Sequence, residues 1–310
     1  MLFFATRSYG YFRDELASLV RGEVGRLEVK LFSDGEVYHR ILDDVAGRNV
    51  VLVGASISDV ETFELFDVAS GLVNAGAHSL TLVVPYYGYA TMDRAVHPGE
   101  IVKAKTRARL FSSIGHARQS NRMLLLDLHA EGIQHYFEGG LLATHLYGKA
   151  LALTAIRELG GDDFVAASTD AGRAKWVESL ANELQAPASF IFKRRREDGS
   201  PEIIAMNADV RGKRVVVYDD MIRSGRSLLN AAEAYRHAGA VDVACVTTHG
   251  VFPGDALDRI GASGLVSRIV ASDSHPRAVE LGRSHPDFLT VRSIAGVFAE
   301  SLQKSAPRPL

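Results

Sequence analysis

The chain predicts an α/β fold of two doubly wound halves, mostly parallel sheets with flanking helices. Three observations carry this. Short apolar, β-branched runs alternate with helical patterns along the 310 residues. The alternation starts afresh near residue 145, and this length suffices for two domains of ordinary size. Hydrophobic residues make up 47% of the chain, enough to fill two cores.

Taken in order, Leu2–Ala5 reads as a strand and Tyr11–Val20 as a helix. Leu27–Phe32 is a second strand, followed by the turn-like Ser33-Asp-Gly-Glu36. Val50–Ala55 is β-branched and apolar. Val60–Ala75 has helical spacing at Phe63, Phe66, Val68 and Leu72, with Gly76 as its stop. Leu80–Pro85 is a strand ending in Tyr86-Tyr-Gly-Tyr89; residues 101–115 read as helix and Met123–Leu128 as a buried strand. The second half is expected to open with a helix over Leu141–Leu159, broken at Gly160-Gly161. Strands over Phe164–Ser168 and Ala188–Lys193 flank a helix over Gly172–Leu184. Val215–Val217, Val241–Thr248, Ile269–Ser272 and Phe288–Val291 are further strands, Leu228–Ala238 a helix, and a last helix follows. The expected domains are residues 1–145 and 146–310, with a loose tail at Ala306–Leu310.

Composition narrows the function. A net charge of −2 provides no general basic field, so nucleic acid is not an expected partner. The single cysteine, Cys245, lies in an apolar run, which excludes a disulfide framework and a cysteine-based zinc site. No apolar stretch approaches a membrane span and the N-terminal run is too short for a signal peptide, so the expectation is a soluble cytoplasmic protein.

The stretch Arg214-Val-Val-Val-Tyr-Asp-Asp-Met-Ile-Arg-Ser-Gly-Arg-Ser227 is the most informative. A strand delivers Asp219 and Asp220 to its carboxyl end, where ligands bind in open α/β sheets. The loop Arg223, Ser224, Gly225, Arg226, Ser227 then opens a helix, whose free N–H groups and dipole suit a phosphate. Carboxylates cannot hold phosphate; they suit sugar hydroxyls or a metal-bound diphosphate. The unit reads as a sugar-phosphate cradle, although alone it fits an acidic strand end with an ordinary helix cap equally well.

Four other polar clusters stand where strands should end: Phe32-Ser-Asp-Gly-Glu36, Asp127-Leu-His129, Ser168–Lys175 with Asp170 and Gly172, and Thr247-Thr-His-Gly250. A basic run, Lys193-Arg-Arg-Arg-Glu-Asp-Gly199, follows another strand; alone it fits solvated surface as well. His129 and Asp170 could share a magnesium ion completed by water and phosphate oxygens, though one histidine is an unusual magnesium ligand. The basic run, on a mobile loop, could neutralise transition-state charge. These are the parts of a phosphoryl-type transfer.

In these motifs the chain resembles the ribose-phosphate diphosphokinase (phosphoribosyl pyrophosphate synthetase) family. The resemblance rests on Phe-Ser-Asp-Gly-Glu at 32–36, Asp-Leu-His-Ala-Glu-Gly-Ile-Gln at 127–134, Asp170 with Gly172, Lys193 with Arg195, Val-Tyr-Asp-Asp-Met-Ile at 217–222 and Thr-His-Gly at 248–250. It implies two tandem phosphoribosyltransferase-type domains in a homo-oligomer. The implied reaction moves the β,γ-diphosphate of ATP, with Mg2+, to the anomeric hydroxyl of ribose 5-phosphate. On this resemblance Phe32, Asp34 and Glu36 hold adenine from a neighbouring subunit, and Asp93 and His129 also contact ATP. His129 and Asp170 serve the metal, and Lys193 and Arg195 are the catalytic pair. Asp219 and Asp220 take the ribose hydroxyls and residues 223–227 the 5-phosphate.

The chain departs from the family at both substrate ends. Ala90-Thr-Met-Asp93 stands where the family has Arg-Gln-Asp, so Thr91 offers no guanidinium. Arg223-Ser-Gly-Arg-Ser227 replaces an Asp-Thr-small-Gly-Thr loop, making the cradle more cationic. Gln119–Arg122 and His97-Pro-Gly-Glu100 also differ, so the family's allosteric control is not carried over. Retained catalytic residues with altered ends keep two alternatives in view. One is diphosphorylation of a larger sugar phosphate such as ADP-ribose. The other is a non-catalytic homologue associated with synthetase subunits, against which Lys193 and Arg195 speak. A base-accepting phosphoribosyltransferase fits the central stretch but not the duplicated length.

Overall fold

The computed structural model describes the backbone of residues 1–169, 171–195 and 201–304, and their side chains except those of 171, 192–195 and 201–205. Two units divide it: residues 1–147 with the last helix, and residues 148–294.

The first unit runs β1 (Leu2–Ala5), α1 (Gly10–Leu19), β2 (Glu23–Val24), β3 (Leu27–Leu31), β4 (Val37–Ile41), β5 (Asn49–Val53), α2 (Asp59–Asn74), β6 (Ser79–Val84), α3 (Lys103–Ser112), β7 (Ser120–Leu126) and β8 (Leu141–Leu146). Six strands form a parallel sheet in the order β2-β1-β5-β6-β7-β8. The inner strands β1 and β5 are near-continuous apolar runs because both their faces are covered. Leu2, Phe4, Val50, Leu52, Leu82 and Met123 point into one core with Leu65 and Leu72 of α2 and Phe111 of α3. Phe3 and Val51 are buried on alternate positions, while Phe12 of α1 meets Phe298 edge-on at 5.6 Å.

The second unit begins with α4 (Lys149–Gly160) and continues β9 (Phe164–Ser168), α5 (Ala174–Leu184), β10 (Ala188–Ser189), β11 (Ile191–Arg195), β12 (Pro201–Met206), β13 (Arg214–Ile222), α6 (Arg226–His237), β14 (Asp242–Gly250), α7 (Ala256–Ala262), β15 (Ile269–Ser272), α8 (Pro276–Ser284) and β16 (Leu289–Arg292). The last helix, α9 (Ala295–Lys304), follows β16 in sequence yet belongs to the first unit, where it packs on α1. The second sheet is again six-stranded and parallel, ordered β10-β9-β13-β14-β15-β16. Alternation on β13 splits its residues between two cores. Val215 and Val217 join Leu228, Tyr235 and Ile260 on one face; Val216 and Tyr218 join Ile156, Val177 and Leu180 on the other.

The two sheets share one strand order, and each unit carries a separate antiparallel hairpin after its edge strand, β3-β4 and β11-β12. The tandem repeat is therefore legible in topology, where the sequence does not align with itself. Four details differ from the sequence-based expectation. Leu141–Leu146 is an edge strand rather than the start of a helix, and α4 begins only after Gly148. The leucines there suit either period; the short run before a glycine was the strand signal. Val37–Ile41 is a strand whose half-exposed alternation fits one covered face. The short helices α7 and α8 also add to the expected set. The Leu27–Leu31 strand stands in the hairpin, outside the parallel sheet. Among the described residues, no helix is long and apolar enough to cross a membrane.

Candidate active site

Strand β13 is nine residues long and pairs with β14 as far as Ile222 and Gly250. Asp219 and Asp220 thus stand at the sixth and seventh of its nine positions, inside the strand instead of at its end. Asp220 is 3% exposed and ion-paired with Arg173, the residue preceding α5. Asp219 accepts the Asp220 N–H at 3.1 Å and the Thr169 hydroxyl at 3.2 Å. Its charge also reaches Cys245: burial first, then Asp219, pushes that thiol's pKa well up. Cys245 is wholly buried in β14 and so remains a neutral core residue, as its apolar setting suggests.

The loop past β13 enters α6 through Gly225, whose φ of +76° is left-handed. Helix α6 has no side-chain cap and no acid in its first turn, the positions from which a helix dipole is most directly offset. Arg223, Ser224, Arg226 and Ser227 are exposed around it. A Cβ at Gly225 would come within 2.5 Å of Ile260 Cδ1. Gly225→Ala is therefore expected to cost roughly 1–3 kcal/mol in a thermal melt, and combined with Ile260→Ala the loss should be smaller than the sum of the two single losses. An unchanged melting temperature would contradict this placement. Helix α2, the topological counterpart in the first unit, is the opposite. Ser58 accepts the Glu61 N–H at 3.2 Å, and Asp59 and Glu61 fill the first turn, so it repels anions. Of these two helices, only α6 begins with neither a side-chain cap nor a first-turn acid.

A buried polar network backs the strand ends. Tyr218 and Thr248 hydroxyls lie 3.1 Å apart. The Thr248 carbonyl accepts from Ser272 Oγ at 2.5 Å and Ser274 Oγ at 3.1 Å, and His249 Nδ1 lies 2.8 Å from Ser274 Oγ. Sequence reasoning singled out Thr247–Gly250 but passed over Ser272-Asp-Ser-His275; a polar run directly after Val270-Ala271 was the available signal. His275 Nδ1 caps α8 by accepting the Arg277 N–H at 3.1 Å. Burial, then His249 and Arg277, hold its imidazole at about 3, below the ordinary 6.5. The unfolded chain takes a proton near 6.5 and the folded chain does not. Stability is thus complete above that pH and declines as pH falls toward 3, by up to about 5 kcal/mol. His275→Asn, which keeps a capping acceptor, should flatten the loss of melting temperature between pH 7 and 4.5. An equally steep loss would contradict the buried neutral imidazole.

In the first unit Phe32, Asp34 and Glu36 form the tip of the β3-β4 hairpin. Phe32 N–H donates to the Glu36 carbonyl at 2.9 Å, and Asp34 Oδ1 accepts the Glu36 N–H at 3.0 Å. The turn is locally satisfied, yet it leaves the Phe32 ring 49% exposed and Leu31 68% exposed. His129 is exposed, three residues past β7. Asp127 just before it holds φ +37°, a conformation non-glycine residues seldom keep without a functional reason. The Asp93 carbonyl accepts the Tyr136 hydroxyl at 2.7 Å, which ties it to the segment following His129. Its carboxylate pairs with Arg94 at 2.8 Å. The guanidinium missing at Thr91 is thus present three residues later, 71% exposed.

Asp170 lies outside the described residues. Lys193 and Arg195 fall on β11, with side chains outside the described set, and residues 196–200 also lie outside it. Among the described residues, no cluster of three or more His, Cys, Asp or Glu side chains could cage a metal. A magnesium ion carried mainly by phosphate oxygens and water would need only one or two protein contacts, normally carboxylates.

Two repeated parallel sheets, a hairpin on each and an uncapped glycine-entered helix beside paired carboxylates define a tandem phosphoribosyltransferase-type protein. Residues 1–115 match the family model described as the N-terminal domain of ribose phosphate pyrophosphokinase, and residues 169–305 match the phosphoribosyl synthetase-associated domain. The chain is 34% identical to a ribose-phosphate pyrophosphokinase of Caldanaerobacter subterraneus over 93% of its own length and 89% of the relative's. It is 37% identical to ribose-phosphate pyrophosphokinase 2 of Enterococcus faecalis over 84% of its length and 80% of that protein's. The crystal structure of phosphoribosylpyrophosphate synthetase from Mycobacterium smegmatis superposes with a TM-score of 0.85 at 28% identity, covering 97% of both chains. The chain belongs to the ribose-phosphate pyrophosphokinase family.

Proposed function

We propose that the chain transfers the β,γ-diphosphate of ATP to the anomeric hydroxyl of ribose 5-phosphate, giving phosphoribosyl pyrophosphate and AMP. The observation that carries this is the β13–α6 unit: two carboxylates beside a helix N-terminus that has no cap of its own. Relatives of nearly full length with that activity in their names support it.

In this reading the α6 N-terminus, with Arg223, Ser224, Gly225, Arg226 and Ser227, takes the 5-phosphate, while Asp219 and Asp220 accept hydrogen bonds from the ribose hydroxyls. Fixing both ends of the sugar limits the directions its anomeric oxygen can take, which is where most of the rate of such a transfer arises. Phe32 stacks on adenine, with Asp34 and Glu36 at its polar edge. Asp93 and His129 contact the nucleotide. Lys193 and Arg195 neutralise charge developing on the transferred group. Magnesium, on His129 and Asp170 when bound, supplies charge neutralisation of the triphosphate. The exposed apolar tip at Leu31 and Phe32 supports a homo-oligomer in which this hairpin serves a neighbouring subunit. On this reading its substrates are small molecules of the cytoplasm, ATP and a sugar phosphate.

The exposed Arg223 and Arg226 favour one second reading, an acceptor with a further phosphate such as ADP-ribose. Ribose 5-phosphate and ADP-ribose, each offered with magnesium–ATP, decide between them. Faster AMP release with ribose 5-phosphate is expected, and faster release with ADP-ribose would reject the first reading. If Arg223 encodes the larger acceptor, Arg223→Asp, which restores the family's residue type, should improve ribose 5-phosphate use and lower ADP-ribose use; unchanged preference would count against the second reading.

A further inference from the structure

Building on the reading that Asp219 and Asp220 take the sugar hydroxyls, we propose that Arg173 sets how strictly the site demands those hydroxyls, making it tolerant of deoxy sugar phosphates. A carboxylate built to receive a hydroxyl is left unpaired when an analogue lacks that group. The unpaired buried charge is what rejects the analogue. Here the acidic pair already holds donors of the chain's own. Asp220, at 3% exposure, is ion-paired with Arg173 through Oδ2. Asp219 Oδ1 receives the Asp220 N–H, and its Oδ2 receives the Thr169 hydroxyl. Each carboxylate oxygen has two lone pairs, so a sugar hydroxyl can bind beside these donors. When that hydroxyl is missing, Asp220 stays on its guanidinium, and the loss shrinks to one ordinary hydrogen bond.

The position of Arg173 adds to this. It immediately precedes α5, and helix N-termini disfavour cations. Tyr218 packs among residues of α4 and α5, so Asp220, two positions on, faces the same side of the strand. The ion pair therefore joins the helix start to the strand end across that face, and its remaining exposure, 23% of the Arg173 side chain, opens toward solvent.

The test compares AMP release with magnesium–ATP and three acceptors: ribose 5-phosphate, 2-deoxyribose 5-phosphate and 3-deoxyribose 5-phosphate. Wild type, Arg173→Ala and Arg173→Lys are assayed. In the wild type each missing hydroxyl should lower kcat/KM by about tenfold or less. In Arg173→Ala one of the two penalties should grow by about a further ten- to hundredfold, and Arg173→Lys should restore the wild-type ratio. Ratios on one preparation cancel any misfolded fraction, so a purely structural role for Arg173 would not move them. Equal ratios in wild type and Arg173→Ala, or strong rejection of the deoxy sugars by the wild type, would overturn the proposal while leaving the ribose 5-phosphate activity standing. No AMP release from ribose 5-phosphate by the wild type would instead remove the functional reading beneath it.

Discussion

Lys193→Ala is expected to lower kcat by about 10³-fold while changing the KM for ATP by only a few-fold. Its charge is needed where the diphosphate has left AMP and has not yet joined the sugar. There the transferring oxygens carry more exposed negative charge than in bound ATP, so the cation stabilises the transition state more than the ground state. Lys193 lies on β11, an antiparallel strand paired with β12 and separate from the six-stranded sheet. A hairpin outside the main sheet can carry such a group without disturbing the core, so the folded state should melt as the wild type does. Steady-state kinetics over both substrates check this. A change confined to KM would assign Lys193 to binding.

Asp220→Ala should lower kcat/KM for ribose 5-phosphate by about 10²–10³-fold, with the KM for ATP nearly unchanged. Two losses combine. The sugar loses a charged acceptor, and Arg173 loses this partner in a largely buried setting. The second loss should also cost stability, roughly 2–3 kcal/mol. That is less than for a fully buried pair because Arg173 keeps 23% of its side chain exposed. Removing both partners in Asp220→Ala with Arg173→Ala should return part of the stability and none of the activity. Thermal melts and acceptor kinetics on the three variants separate the two effects. Full acceptor use by Asp220→Ala would show that the carboxylate does not meet the sugar.

Much of this was legible in the chain. Buried parallel strands announce themselves as short β-branched runs, and Val215–Val217 and Ile269–Ser272 were plain on that ground. The glycine before α6 and the acids before it stood at the spacing a cradle needs. What escaped had physical reasons. Leu141–Leu146 is an edge strand whose leucines suit a helix as well, so only its pairing with β7 decides. The exchange by which α9 joins the first unit depends on the Phe12–Phe298 contact between residues far apart in sequence. The Arg173–Asp220 pair also joins the start of α5 to β13, which no local pattern could announce. Likewise, the contrast between the acid-capped α2 and the uncapped α6 is visible only once topology aligns the two helices.

The central claim is that two phosphates move together, and the products report it. Phosphorus NMR of the purified protein with magnesium–ATP and ribose 5-phosphate should show AMP and a sugar-linked diphosphate growing in equal amounts. Formation of ADP with a singly phosphorylated sugar, or no change in the sugar while ATP is consumed, would contradict the account.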